Sequence, residues 1–228
     1  MLSVGSVVNA FLPSWFVGIA PGGLPLGIAA ALLTPTVRGM VRLDRITTRT
    51  GDGGSTGLGD GSRLPKHHPL IAAIGTVDEA NSLLGVVRLE QLPAAVSAAL
   101  PRIQNDLFDV GSDLACPPGM AHEDKVPRVT AAQVAHLETL LADANAGVAP
   151  LKSFVLPGGT RSAAHLHLAR TVVRRAERDV SAAIAALPER AFNADLIRYL
   201  NRLSDLLFVW ARLANGEQEV LWVPGGGK

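Results

Sequence analysis

The sequence predicts an all-α fold, a bundle of five helices behind a Gly/Thr-rich loop. Helical apolar spacing runs through five segments beyond residue 68, and no clear alternating strand pattern interrupts them. The connections between the segments are short, as in a bundle whose helices each bury one face against their neighbours.

Each segment carries its own signal. The first runs from about Pro69 to Glu90, with Ile71, Ile74, Val77, Leu84 and Val87 among its apolar positions. The second covers about Ala94 to Leu114, and Pro101 either kinks it or opens its longer part. The third begins at Thr130, where Thr130 and Gln133 have capping-box spacing, and ends near Gly147. The fourth follows Pro157-Gly158-Gly159 and continues to Leu187. Its stripe of Ala163, Leu166, Ala169, Val173, Ala176 and Val180 lets a neighbouring helix come close. The fifth spans about Asn193 to Asn215 and stops at Gly216.

The chain has 228 residues, 48% of them apolar and 18% charged, with 21 Lys+Arg against 20 Asp+Glu. That suits one sizeable domain. Near-neutrality argues against a general nucleic-acid surface, which needs a basic excess. The single Cys116 excludes an intramolecular disulfide and any cysteine-built zinc or iron–sulfur site, so a reduced, cytoplasmic setting is expected.

Charge divides the chain into a segment 1–40 and a domain 41–228. Arg38 is the only charge before residue 41, which leaves 20 Lys+Arg against 20 Asp+Glu in the remainder. Ala10 to Leu33 is apolar and 24 residues long, enough to span a bilayer by length. Pro13, Pro21 and Pro25, with Gly18, Gly22, Gly23 and Gly27, would break a helix there, and no basic n-region precedes it. A start assigned too far upstream, with initiation near Met40, competes with a disordered extension and with a membrane or targeting segment, the membrane being the less expected partner.

Three constellations could carry chemistry. In TTRTGDGGSTGLGDGSRLPK, glycines allow close backbone approach to an anion, and hydroxyl and basic side chains add donors. Thr48, Arg49, Thr50, Gly51, Ser55, Thr56 and Lys66 would suit a polyphosphate, although neither GxxxxGK[ST] nor GxGxxG is present. A plain surface loop is the competing reading. On the fourth helix, Arg170, Arg174 and Glu177 share a face, flanked by Arg175 and Arg178. They form either a phosphate clamp or a salt-bridged face. On the fifth, Asn201, Ser204 and Phe208 line a stripe in an otherwise apolar helix, so their polar atoms must meet another helix or a ligand. The first helix repeats the theme with Asp78, Glu79, Asn81 and Ser82. The histidines suggest no metal site: His165 and His167 point about 200° apart on a helix. No GxSxG elbow marks a hydrolase.

Five stretches, in order, resemble the PduO-type ATP:corrinoid adenosyltransferases: TRTGDGGSTGLGDGSRLPK (48–66), GTVDEANSLLG (75–85), FVLPGG (154–159), LHLARTVVRRAER (166–178) and NRLSDLLFVWAR (201–212). The resemblance implies transfer of the 5′-deoxyadenosyl group of ATP to cob(I)alamin, with triphosphate leaving. It also implies a homotrimer with sites between subunits, a reductase that supplies the electron, and an adenosylcobalamin-dependent enzyme that receives the product. ATP and Mg²⁺ would be held by the N-terminal loop, as a nucleotide-binding loop, and by the fourth helix. By motif match the nucleotide ligands are Thr48 to Gly51, Thr56, Lys66, Arg174, Arg175, Glu177, Arg178 and Asn201. Arg170 matches an arginine that pairs with an aspartate, here Asp78, across the interface. Phe154 matches the aromatic under the corrin ring, which keeps the lower axial ligand off cobalt, and Phe208 matches a second wall of that pocket. The chain departs from the pattern where Thr47 replaces a common Tyr, where only GGGK follows EQEVLWVP, and in segment 1–40. A corrinoid carrier that delivers adenosylcobalamin without making it is the competing function.

Overall fold

A computed structural model describes residues 47–120 and 122–226. The expectations for segment 1–40, and for the start of the 41–228 domain, lie outside the described residues. Five helices follow in order: α1 (Pro69–Val87), α2 (Ala94–Ala115), α3 (Ala131–Ala146), α4 (Arg161–Ala186) and α5 (Asp195–Asn215).

Local chemistry sets their ends. His68 caps α1, its Nδ1 accepting from the Leu70 N–H at 3.2 Å, and Pro69 opens the first turn, where its missing N–H costs nothing. Thr130 and Gln133 form the expected capping box at α3, with Thr130 as cap rather than first helical residue. Thr160 caps α4 through the Ala163 N–H. Asp195 and Arg212 place opposite charges at the fitting ends of the α5 dipole. Pro101 does not divide α2, which runs unbroken through it. The first helix ends at Val87, short of Glu90, and α5 starts two residues after Asn193. Asn193 is a tether instead: it donates to Asp113 Oδ2 and to the Val129 carbonyl, each at 2.7 Å.

α4 is the central helix, packed along α1 on one side and α5 on the other. Both pairs are antiparallel, since Thr76 meets Asp179 while Glu90 meets Arg161, and Asn201 meets Glu177 while Ala214 meets Thr160. Ala163, Ala169, Ala176 and Ala183 are fully buried between them. α2 closes the other side of α1 through a reciprocal pair of bonds between Asn81 and Gln104, each 3.1 Å. α3 lies along α5. Between α2, α3 and α5, Tyr199 donates to Asp106 at 3.1 Å and Gln133 bridges Asp106 and Asp109. Burial pushes the Tyr199 hydroxyl well above its usual range, which keeps it a donor. α1 is long and apolar enough to cross a membrane by composition, but Leu70, Ala73, Val77, Ala80, Leu84 and Val87 are fully buried in the core, so its packing is that of an internal helix.

The Gly/Thr segment is more ordered than its sequence suggests. It folds into an antiparallel ribbon of β1 (Ser55–Gly57) and β2 (Arg63–Pro65), with Thr56 opposite Leu64. Hydrophobic period is not what holds it. Asp60 accepts from the Ser62 N–H at 2.9 Å across the turn, and Gly61 takes φ +84. Arg63 donates to the Thr50 carbonyl at 2.7 Å and to Ser55 Oγ at 2.9 Å, and Leu58 is inserted into the core.

One close approach fixes the α3–α4 connection. Asn215, at the end of α5, accepts from the Thr160 N–H at 3.0 Å and donates to the Gln218 carbonyl at 3.2 Å. A Cβ on Gly159 would stand 1.9 Å from Asn215 Oδ1, and Gly159 has φ +96. Gly159→Ala is therefore expected to cost about 1–3 kcal/mol in urea unfolding; an unchanged midpoint would show that this contact is dispensable.

Candidate active site

The α4–α5 pair presents a ridge of basic residues that runs into an aromatic wall. Asn201 Nδ2 donates to Glu177 Oε1 at 3.0 Å and locks the two helices at the centre of the ridge. One turn along α4 stands Arg174, exposed. A turn further, Arg170 is half-buried with its guanidinium 5.9 Å from the Phe208 ring centroid. Its Nε is buried without a partner among the described residues. Burial, then the charge of Arg174, lowers the Arg170 pKa.

Other predicted residues turn elsewhere. Arg175 is ion-paired with Glu79 of α1. Arg178 donates to the Arg174 carbonyl at 3.2 Å. Ser204 is buried and donates to the Asn201 carbonyl at 2.9 Å, so its hydroxyl is satisfied within its own helix.

The loop residues form a second group. Thr48 and Thr50 hydroxyls are 3.0 Å apart, Lys66 is exposed, and Arg49 takes a left-handed φ of 59, unusual for a non-glycine residue. Their ribbon is tied near the C-terminal end of α4, where Asp60 lies 3.9 Å from Arg190. Arg174 is about 18 Å from that helix end by helical rise. The anchor of the loop and the basic ridge thus sit at different levels of one chain.

Asp78 belongs to a third surface. It lines a polar cleft of about 320 Å³ on the α1–α2 face with Asn81, Ser82, Gln104 and Phe108. Burial raises its pKa, and it makes no hydrogen bond or ion pair among the described residues. Arg170 faces α5 and Asp78 faces α2, on opposite sides of the α1–α4 layer, so the two cannot pair within one chain.

Phe154 stands on the α3–α4 connection, 76% exposed. A more apolar cleft of about 500 Å³ lies between that connection and α5, lined by Leu141, Val148, Leu151, Phe208, Val209 and Arg212. No cluster of three or more His, Cys, Asp or Glu side chains fit to hold a metal occurs among the described residues.

A residue outside the predicted set packs against the ridge. His167 is 3% exposed, and its ring lies 6.0 Å from that of Phe208, whose other neighbour is the Arg170 guanidinium. Its position three residues before Arg170 on one helical face was the available signal. Burial, then the Arg170 charge, pushes the His167 pKa down. The unfolded chain therefore binds a proton more readily than the folded one. Stability should fall as the pH drops through the unfolded histidine range near about 6.5. Urea midpoints for wild type and His167→Gln between pH 8 and 5 should show a shallower acid loss in the variant; parallel curves would contradict a neutral buried His167.

The chain is similar to known proteins along most of its length. The family model described as cobalamin adenosyltransferase matches residues 46–214. A corrinoid adenosyltransferase of Mycobacterium tuberculosis (strain ATCC 25618 / H37Rv) is 47% identical over 191 residues, covering 82% of this chain and 97% of the relative. A cobalamin adenosyltransferase of Cupriavidus metallidurans is 50% identical over 185 residues, covering 79% and 95%. Among solved structures, a variant PduO-type ATP:corrinoid adenosyltransferase from Lactobacillus reuteri, complexed with cobalamin and ATP, is similar at 36% identity and a TM-score of 0.67. That match covers 77% of this chain and 97% of the other. The chain belongs to the cobalamin adenosyltransferase family.

Proposed function

We propose that this protein is an ATP:corrinoid adenosyltransferase, moving the 5′-deoxyadenosyl group of ATP onto the cobalt of a reduced corrinoid at a site completed between copies of the chain. The observation that carries this reading is the meeting of a cationic ridge with an aromatic wall on two helices: Arg174 stands one turn from Arg170, which lies over Phe208. The ridge suits a polyphosphate and the wall suits a flat, largely apolar macrocycle.

The chemistry is a substitution. The Co(I) electron pair forms the cobalt–carbon bond to C5′ while the C5′–O bond breaks, and triphosphate departs with the electrons of that broken bond. The nucleophile has no proton to lose, so no general base is needed. Orientation of C5′ and stabilisation of charge on the leaving oxygen remain for the protein. Arg174 of one copy and Lys66 of the next suit the leaving group, with that neighbour's Thr48–Gly51 turn, Ser55 and Thr56 beside it.

Mg²⁺ fits this donor set in its usual way with nucleotides, through phosphate oxygens, water and one or two carboxylates. Glu177, held by Asn201, is the carboxylate that would face it. When bound, the ion would neutralise charge on the phosphates.

The half-buried charges support assembly. Arg170 of one copy and Asp78 of the next would satisfy each other in a homotrimer, so that the basic ridge meets a neighbour's loop only on association. We assign Phe154 to the lower corrin face, where its ring would exclude an axial ligand and ease reduction of Co(II). A reductase must then supply one electron, and an adenosylcobalamin-dependent enzyme would take the product. We place the protein in the cytoplasm, a setting that accords with its free, buried Cys116.

The test mixes protein, ATP and chemically reduced cobalamin and follows the corrinoid spectrum and phosphate products. Adenosylcobalamin and triphosphate are expected; phosphate or pyrophosphate without adenosylcobalamin would overturn the proposal. Arg174→Ala should lower kcat/KM for ATP about tenfold or more, the effect of losing one charge-assisted contact. Undiminished transfer in that variant would remove Arg174 from the site, and corrinoid binding without transfer in the wild type would favour a carrier.

A further inference from the structure

The segment after α5 returns to the Phe154 loop and pairs with it. Leu156 N–H donates to the Val220 carbonyl at 2.8 Å, and Trp222 N–H to the Phe154 carbonyl at 2.7 Å, with Val155 and Leu221 bridged antiparallel between them. Ser153 Oγ adds a bond to the Trp222 carbonyl at 2.7 Å. Alternation along the paired segments sends Phe154 and Trp222 to the same face. Their rings meet edge-on, with centroids 6.0 Å apart and planes at 60°.

The clasp is anchored to the helix that carries Phe208. Arg212 of α5 holds Glu219 at the start of the tail, Nε to Oε1 at 2.7 Å and Nη2 to Oε2 at 3.2 Å. The same guanidinium donates to the Ala149 carbonyl at 2.8 Å, on the connection leading to Phe154. Arg212 is largely buried, with its side chain 9% exposed. One side chain therefore sets both strands of the clasp against α5.

An exposed phenylalanine on a loop would ordinarily exchange rotamers within nanoseconds. Here the backbone bonds fix the base of Phe154, and the Trp222 edge limits where its ring can turn. We infer that Trp222 is a positioning residue for Phe154: through the clasp, the tail holds the phenyl ring at the height and angle that keep the lower axial position of cobalt closed. This rests on the corrin-facing role assigned to Phe154 above. Without the indole, the ring would swing away, the axial position would admit water, and Co(II) would be harder to reduce, while attack by Co(I) formed beforehand would be little affected.

The test compares wild type, Phe154→Ala, Trp222→Ala, Trp222→Phe and Ser153→Ala, each with ATP and cobalamin. One series starts from Co(II) with an electron donor and the other from chemically reduced Co(I). Trp222→Ala should lose roughly threefold to tenfold in the Co(II) series, as removal of an edge-on aromatic pair implies, and under about twofold from Co(I). Its four-coordinate Co(II) signal in electron paramagnetic resonance should weaken. Trp222→Phe should recover most of both. Ser153→Ala should shift both readouts in the same direction by less, which keeps the question answerable if Trp222→Ala folds poorly. Equal losses from Co(II) and Co(I), or an undiminished four-coordinate signal, would overturn the role of Trp222. A selective loss in Phe154→Ala with none in Trp222→Ala or Ser153→Ala would overturn the tail's role alone. No selective loss in Phe154→Ala would overturn the parent assignment and this inference with it.

Discussion

α4 has to pack closely on two helices at once, and its alanines make this possible. With Ala163, Ala169, Ala176 and Ala183 fully buried, α1 and α5 can approach from either side without leaving voids. Larger side chains there would push the layers apart, at a cost of about 1–3 kcal/mol each. The same packing confines the long side chains of α4 to narrow strips. Arg175 reaches α1, Glu177 reaches α5, Arg170 lies against Phe208, and Arg174 is left exposed. The position of the basic ridge is thus set by the packing of the core.

Confinement also leaves charges incomplete in the single chain. Arg170 is half-desolvated on the α5 side and Asp78 is half-desolvated on the α2 side, with a helical layer between them. Desolvated charges are costly unless they find partners. A second copy presenting Asp78 to Arg170 would satisfy both and bring a loop to the ridge. Association and formation of the site would then be one event. The clasp of the tail on the Phe154 loop follows a similar logic inside the chain, where Arg212 and Asn215 at the end of α5 hold the α3–α4 connection and the segment after α5.

How far this was legible depended on the range of the interaction. Helix ends were readable because caps are local: Thr130 with Gln133, and the Gly158-Gly159 break before Thr160, act within a few residues. The motif residues were readable as a group through their order along the chain. Their orientations were not. Ser204 turns to its own helix, Arg175 pairs with α1, and Pro101 stays inside α2 because the surrounding helix is buried on its Val96, Leu100 and Ile103 side. The β1–β2 ribbon was hidden because Arg63 and Asp60, rather than an apolar period, hold it. His167 and Trp222 were missed because their meaning lies in contacts with Phe208 and Phe154, which no spacing displays.

The claim most central to the account is that Arg170 and Asp78 complete one site from two copies, and mixed assemblies test it directly. Arg170→Ala and Asp78→Ala should each be weakly active alone. Co-assembled, they create interfaces at which the intact Asp78 of one copy meets the intact Arg170 of the other. Adenosyl transfer should then rise well above that of either variant in the assembled mixture, with assembly checked by sedimentation. A mixture no more active than its components, although assembled, would contradict a site shared between subunits.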